Sequence, residues 1–156
     1  GDQRLPRRSM DDRLVEIRDI MPTLLDLCGL ETPPSVEGVS LTSEQRRDYL
    51  YGEHGEAAES SSRMIRDERY KLIYYPMGNI VQLFQLDADP RETCNLADDP
   101  AHTQTRQRLT ELLIQEMYGD DESWVKDGQL VGVPAPEKIA YPNNRVLTGQ
   151  RGYRFM

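Results

Sequence analysis

Apolar residues at Ile17, Ile20, Met21, Leu24, Leu25 and Cys28 recur three and four positions apart, the spacing of one helical face. Asp19 stands where an N-cap belongs, Pro22 falls in the first turn, and Gly29 follows the last apolar position. Together they predict a short helix from about Ile20 to Cys28. The pattern then changes. Pro33, Pro34 and Gly38 mark a surface connector, after which short β-leaning runs follow at hairpin spacing. They are "YLYGEH" from Tyr49, "RMIRD" from Arg63, "KLIYY" from Lys71 and "VQLFQL" from Val81. Four short antiparallel strands account for them, with a Met77-Gly78-Asn79 turn between the last two. Val81, Leu83 and Gln85 share one strand face and Phe84 with Leu86 the other, so the sheet is expected to be partly covered on both sides.

A second helical period begins after Asp99-Pro100, an N-cap followed by proline at the first helical position. Leu109, Leu112, Leu113 and Met117 lie on one face of it, before Gly119, and that face is expected to pack on the sheet. Beyond it, three prolines (Pro134, Pro136 and Pro142) mark a segment that reads as an extended tail crossing a surface. The fold class is α+β: a four-stranded antiparallel sheet packed against a C-terminal helix, with an additional short N-terminal helix and an extended tail. No internal repeat and no low-complexity tract interrupts this order.

Composition narrows the classes of function. A chain of 156 residues is long enough to bury a core without disulfides or metals as staples. Its formal net charge of −8 argues against nucleic acid as a partner, because phosphate neutralisation needs clustered Lys and Arg. No apolar run approaches the roughly 20 residues that span a bilayer, and no membrane partner is expected. Cys28 and Cys94 sit in unlike settings and read as free thiols. The polar opening "GDQRLPRRSMDD" reads as a linker or the remnant of a preceding domain, and the absence of an initiator Met suggests a processed or truncated chain.

The candidate chemistry is sparse. His54, in "YGEHGE", ends a strand beside Glu53 and precedes Gly55, a place where an imidazole can face a cleft. The bland alternative is a surface histidine bonded to a nearby carboxylate. His102 reads as a solvated first-turn residue. The carboxylates of "DADPRETCNLADDP" lack the order of a calcium loop and fit turns and helix capping better. Ser60, Ser61 and Ser62 form a loop with no base to activate them. No phosphate-binding loop, nucleophile elbow or zinc motif occurs. Read from its residues alone, the chain is a domain without a self-sufficient active site.

A resemblance adds to this. "VEIRDIMPTLLDLCGLETPPSVEGVSL" resembles the stretch that follows the catalytic core in sulfatases, and "RMIRDERYKLIYYPMGNIVQLFQLDADPRETCNLADDP" resembles their C-terminal hairpin with its "LFDL-DP-E-NLA" ending. "YLYGEHG" resembles a Gly-Glu-His segment of many bacterial members, and together the similarity spans most of residues 13 to 118. The resemblance implies the alkaline phosphatase superfamily, in which a large α/β domain carries the chemistry and a small C-terminal subdomain packs against it. Residues 1–14 would then be linker, 15–46 the helix and connector joining the catalytic domain, 47–120 the small subdomain and 121–156 the tail. The hairpin and its acidic turns would be framework, which needs no reactive residue.

Departures from the family pattern limit what this chain does alone. In sulfatases the first residue of a Cys-x-Pro-x-Arg or Ser-x-Pro-x-Arg motif is oxidised to formylglycine, whose hydrated aldehyde attacks sulfur beside calcium. Here "GLET" follows Cys28 and "NLAD" follows Cys94, so neither is that residue, and the resemblance places the Asp-Asp and Asp-Asn ligand pairs of the calcium site in an N-terminal part that these residues do not match. The connector after "GVSL" is also shortened. Calcium and formylglycine are therefore expected in the full-length enzyme and not in this chain, which alone is expected to be inactive. Its partners would be its own N-terminal catalytic domain and a sulfated small molecule or sugar. By resemblance, His54 and Glu53 lie near the cleft mouth and orient a sulfate oxygen or sugar hydroxyl, while Arg151 and Arg154 of "GQRGYRF" can turn back toward an anionic substrate. The competing readings are a phosphonate or phosphodiester hydrolase of the same superfamily and a freestanding binding or structural module. Exposure discriminates the last of these. A lone module hides its apolar faces, whereas part of a larger protein shows an apolar patch or forms a homo-oligomer through it.

Overall fold

A computed structural model describes residues 10 and 12–134. Its first element is a 3-10 turn, Ile17–Asp19, that runs into helix α1, Ile20–Leu27. Gly29, with a φ of 70°, ends the helix. The expected cap is absent in one respect: the Asp19 side chain does not bond the first turn of α1. Its carboxylate instead accepts the N–H of Glu16 at 2.9 Å and of Val39 at 2.8 Å, and a fork from Arg47, with Nη1 at 2.7 Å from Oδ2. Being 1% exposed, Asp19 ties the start of the helix to both ends of the connector.

The four expected strands form one antiparallel sheet in chain order: β1 (Leu50–His54), β2 (Ser62–Arg66), β3 (Tyr70–Tyr75) and β4 (Ile80–Gln85). Register sets the faces. Tyr51 opposes Ile65, Ile65 opposes Leu72, and Leu72 opposes Leu83, so these residues share one face. Against that face packs helix α2 (Thr103–Glu116), which buries Leu109 and Leu113. A short 3-10 turn, Pro100–His102, leads into it, and Asp99 Oδ1 accepts the Ala101 N–H at 2.9 Å, as the capping pattern predicted. Phe84 is also buried, although it lies on the opposite face beside Lys71. Lys71 reaches Glu92 at 2.7 Å, so the acidic turns after β4 fold toward that second face.

Those turns are held by local bonds. Asp89 Oδ2 accepts the N–H groups of Thr93 and Cys94, and Asn95 Oδ1 accepts those of Leu83 and Ala97. Asn95 thus takes the place of a strand neighbour on the open edge of β4.

Residues 119–133 differ from the expected tail. A 3-10 turn, Gly119–Trp124, precedes a two-stranded ribbon of β5 (Val125–Lys126) and β6 (Gln129–Leu130). Trp124 is buried in the main core, and Val133 exchanges backbone hydrogen bonds with Pro76 and Gly78 at the β3–β4 turn, both at 2.8 Å. At Gly132 a Cβ would stand 2.2 Å from the Pro76 carbonyl oxygen, which explains glycine at this crossing. A single tryptophan supplies enough apolar area to anchor a segment whose polar and glycine content reads as loop. The remainder, 135–156, lies outside the described residues.

Candidate functional site

β1 is an edge strand, and its last two residues carry the functional candidates Glu53 and His54. Successive strand residues point to opposite faces, so the two side chains leave β1 on opposite sides of the sheet. Glu53 opposes Arg63 on the face that α2 covers. There it accepts the Tyr118 hydroxyl at 3.0 and 3.2 Å and stands 3.9 Å from Arg63 Nε. This bond to Glu53 pushes the Tyr118 phenol upward. His54 is exposed on the other face, opposite Ser62, and no described residue hydrogen-bonds its imidazole. Adjacency in sequence therefore does not make the two a joint site, and the expected bland pairing of His54 with a carboxylate is not formed among the described residues.

Beneath them lies a buried ion pair. Arg63 and Asp121 are each 5% exposed; Arg63 Nε and Nη2 both donate to the Asp121 carboxylate, Nη2 at 2.8 Å. The guanidinium sits 5.1 Å from the centre of the Trp124 ring. Its remaining amino group, Nη1, points at the end of β1 and lies 3.1 Å from the His54 carbonyl oxygen, 3.0 Å from that of Ser62 and 3.4 Å from that of Gly55. Burial works against the charge of Arg63, but the Asp121 bonds outweigh it and raise its affinity for the proton. Nearby, burial pushes the Tyr51 hydroxyl up to about 12, and it has no hydrogen-bond partner among the described residues. Gly55 turns the chain out of β1 with a φ of 76°, where a Cβ would lie 2.5 Å from the Ser60 carbonyl oxygen. The sequence marked none of the Arg63 and Asp121 pairing, because 58 residues separate the partners.

The other candidates resolve as follows. His102 Nδ1 lies 3.2 Å from Asp99 Oδ2, and its ring meets Tyr70 edge-on, so it belongs to the start of α2. Cys28 and Cys94 are free and exposed. Among the described residues no group of three or more His, Cys, Asp or Glu side chains is placed to hold a metal ion. Arg151 and Arg154 lie outside the described residues. Ser61 donates to the Ala57 carbonyl and serves the turn.

A second feature is a surface rather than a catalytic group. The predicted apolar stripe of α1 is uncovered: Ile17 is 85% exposed and Leu24 58%, with Ile20 and Met21 about as open. With Leu25 and Cys28 they line an almost wholly apolar depression of about 480 Å³.

A family model described as "N-sulphoglucosamine sulphohydrolase, C-terminal" matches residues 2–118. An arylsulfatase of Clostridium perfringens is 36% identical over 126 residues, which cover 77% of this chain and 26% of that protein. The solved structure of a 2-O GAG sulfatase superposes with a TM-score of 0.61 at 32% identity, covering 69% of this chain and 26% of that one. A phosphonate monoester hydrolase of Agrobacterium radiobacter superposes with a TM-score of 0.55 at 26% identity, covering 66% and 25%. The chain thus spans about a quarter of the length of these relatives.

Proposed function

This chain belongs to the N-sulphoglucosamine sulphohydrolase C-terminal family, and on that premise we propose that it serves as the C-terminal part of a sulfuric ester hydrolase. The observation that carries this reading is the open stripe of α1 beside a fully packed core around the sheet. A freestanding module would gain by covering Ile17, Ile20, Met21 and Leu24, since each apolar side chain removed from water contributes about 1.5–3 kcal/mol. The stripe is suited to dock on the rest of a longer chain, its own catalytic domain. A homo-oligomer through the same face is the competing outcome.

Formylglycine and calcium would supply the nucleophile and the charge stabilisation for S–O cleavage, and the described residues of this chain do not fit either group. What this chain adds is recognition. His54, exposed at the end of an edge strand, offers an imidazole to a sulfate oxygen or a sugar hydroxyl and so helps orient the ester. Glu53, held by Tyr118 on the other face, is a second and more remote contact. Arg151 is proposed as an anion contact from the tail. Similarity to a phosphonate monoester hydrolase supports a second reading, hydrolysis of phosphonate monoesters on the same scaffold.

The full-length enzyme assayed in parallel on an aryl sulfate and an aryl phosphonate monoester separates the two. The sulfatase reading expects higher kcat/KM on the sulfate, and a reversed order overturns it. In the same protein His54→Ala is expected to raise KM for the preferred ester by about tenfold with kcat within about twofold, the mark of lost uniform binding. An unchanged KM removes His54 from the site.

A further inference from the structure

We infer that Arg63 is the residue that positions His54. This rests on the reading that His54 meets the substrate, and it goes beyond that reading by naming what fixes the imidazole. His54 is the last residue of an edge strand, followed by a glycine at positive φ, and its own side chain has no partner among the described residues. Among the described residues nothing on its exposed face holds it. The restraint comes from behind, where Arg63 Nη1 lies close to the carbonyl oxygens of His54, Gly55 and Ser62. Those three carbonyls belong to the two arms of the β1–β2 connection, so one amino group closes the mouth of that loop.

The guanidinium is itself over-determined. The Asp121 carboxylate accepts from its other two nitrogens, Nε and Nη2, and Trp124 stacks on it. An arginine suits this task where a lysine does not, because a planar fork serves a carboxylate with one edge and a carbonyl cluster with the other. Asp121 and Trp124 come from the 3-10 turn that follows α2, and Tyr118, just before that turn, holds Glu53. The turn thereby sets the end of β1 from the covered face and leaves His54 free on the open one. Glu53, though adjacent in sequence, is an orienting contact of Tyr118 and not the carboxylate of a His-Glu pair.

Removing Arg63 alone strands a buried carboxylate and endangers the fold, so the informative change is the double variant Arg63→Met/Asp121→Leu, which removes both charges at similar volume. In the full-length enzyme it is expected to raise KM about fivefold to tenfold with kcat nearly unchanged, and to add nothing further in a His54→Ala background, since the two sites act as one unit. Arg63→Lys, which keeps the charge beside Asp121 and loses the fork, is expected to raise KM by more than half of that factor. A KM rise that persists in full in the His54→Ala background overturns the assignment. So does an unchanged KM when His54→Ala raises it. Should His54→Ala leave KM untouched, substrate contact by His54 fails, and the positioning is then judged by NMR relaxation of the His54 imidazole. Lower order in the double variant upholds it, and unchanged order overturns it.

Discussion

Helices α1 and α2 both carry an apolar stripe at helical spacing, and the two stripes meet opposite surroundings. Leu109 and Leu113 of α2 are fully buried against Ile65, Leu72 and Leu83, with Trp124 and Met117 closing the end of the layer. Leu24 and Ile20 of α1 are more than half exposed. The connection to the sheet explains part of the difference. α2 follows β4 through turns pinned by Asn95 to the sheet edge, which leaves its stripe facing the strands. The region around α1 is instead tied to its own connector, through Asp19 to Arg47 and Val39, Thr23 to Leu41, and Arg13 to the carbonyls of Leu41 and Ser43. Those bonds use the polar side of α1 and turn its apolar side outward. One region is thus stabilised by apolar burial, and the other by a polar network that leaves its apolar surface exposed.

The largest effect that sharpens this contrast is Leu113→Ala. With the side chain wholly buried, the change removes transfer energy and leaves a cavity, and about 2–5 kcal/mol of stability should be lost in urea unfolding. Against a total of roughly 5–15 kcal/mol for a domain, that is a large share. A loss below about 1 kcal/mol would mean that the sheet and α2 repack freely, and the contrast between the two helices would fall.

Much of this division was legible in the sequence. Strand alternation in "KLIYY" and "VQLFQL", the Asp99-Pro100 helix start and the α1 period each report on a few consecutive residues, and local rules read such signals well. The pairing of Arg63 with Asp121 and of Asp19 with Arg47 was not legible, since a charge does not reveal a partner 58 or 28 residues away. The separation of Glu53 from His54 was legible in principle, because a period of two already puts neighbours on opposite faces. Adjacency in the motif drew attention away from it. Trp124 escaped for a different reason: one anchoring aromatic leaves no periodic trace in a segment rich in Gly and Asp.

The next effect tests the polar region. Burial by itself would raise the Asp19 carboxyl, yet the hydrogen bonds from Arg47 and from the Glu16 and Val39 amides hold it below the ordinary carboxylate range. A carboxyl depressed in the folded state contributes stability that is complete above its unfolded pKa and fades as pH falls through the folded one. Asp19→Asn should therefore lose about 1–3 kcal/mol near neutral pH, and its deficit against the unaltered chain should shrink in acid. Urea melts of both proteins across acid pH measure this. A deficit independent of pH would assign the loss to shape and not to charge.

The smallest effect is the most instructive, because its size tells whether the α1 stripe is covered. Leu24→Ser replaces an exposed apolar side chain on α1, and in the 156-residue chain the change in stability should stay within about 0.5 kcal/mol, the scale of a helix-propensity difference. In a longer protein of the proposed kind the same change should cost about 2 kcal/mol, the burial energy of one leucine, if its remainder covers that stripe. Calorimetry on both lengths reads the difference. A small effect in both would leave the stripe uncovered by the longer chain, and sedimentation of the short one would then show whether a second copy covers it. A large effect in the short chain, fading on dilution, would assign the stripe to a homodimer, and α1 would then resemble α2 in having its partner supplied by the same sequence.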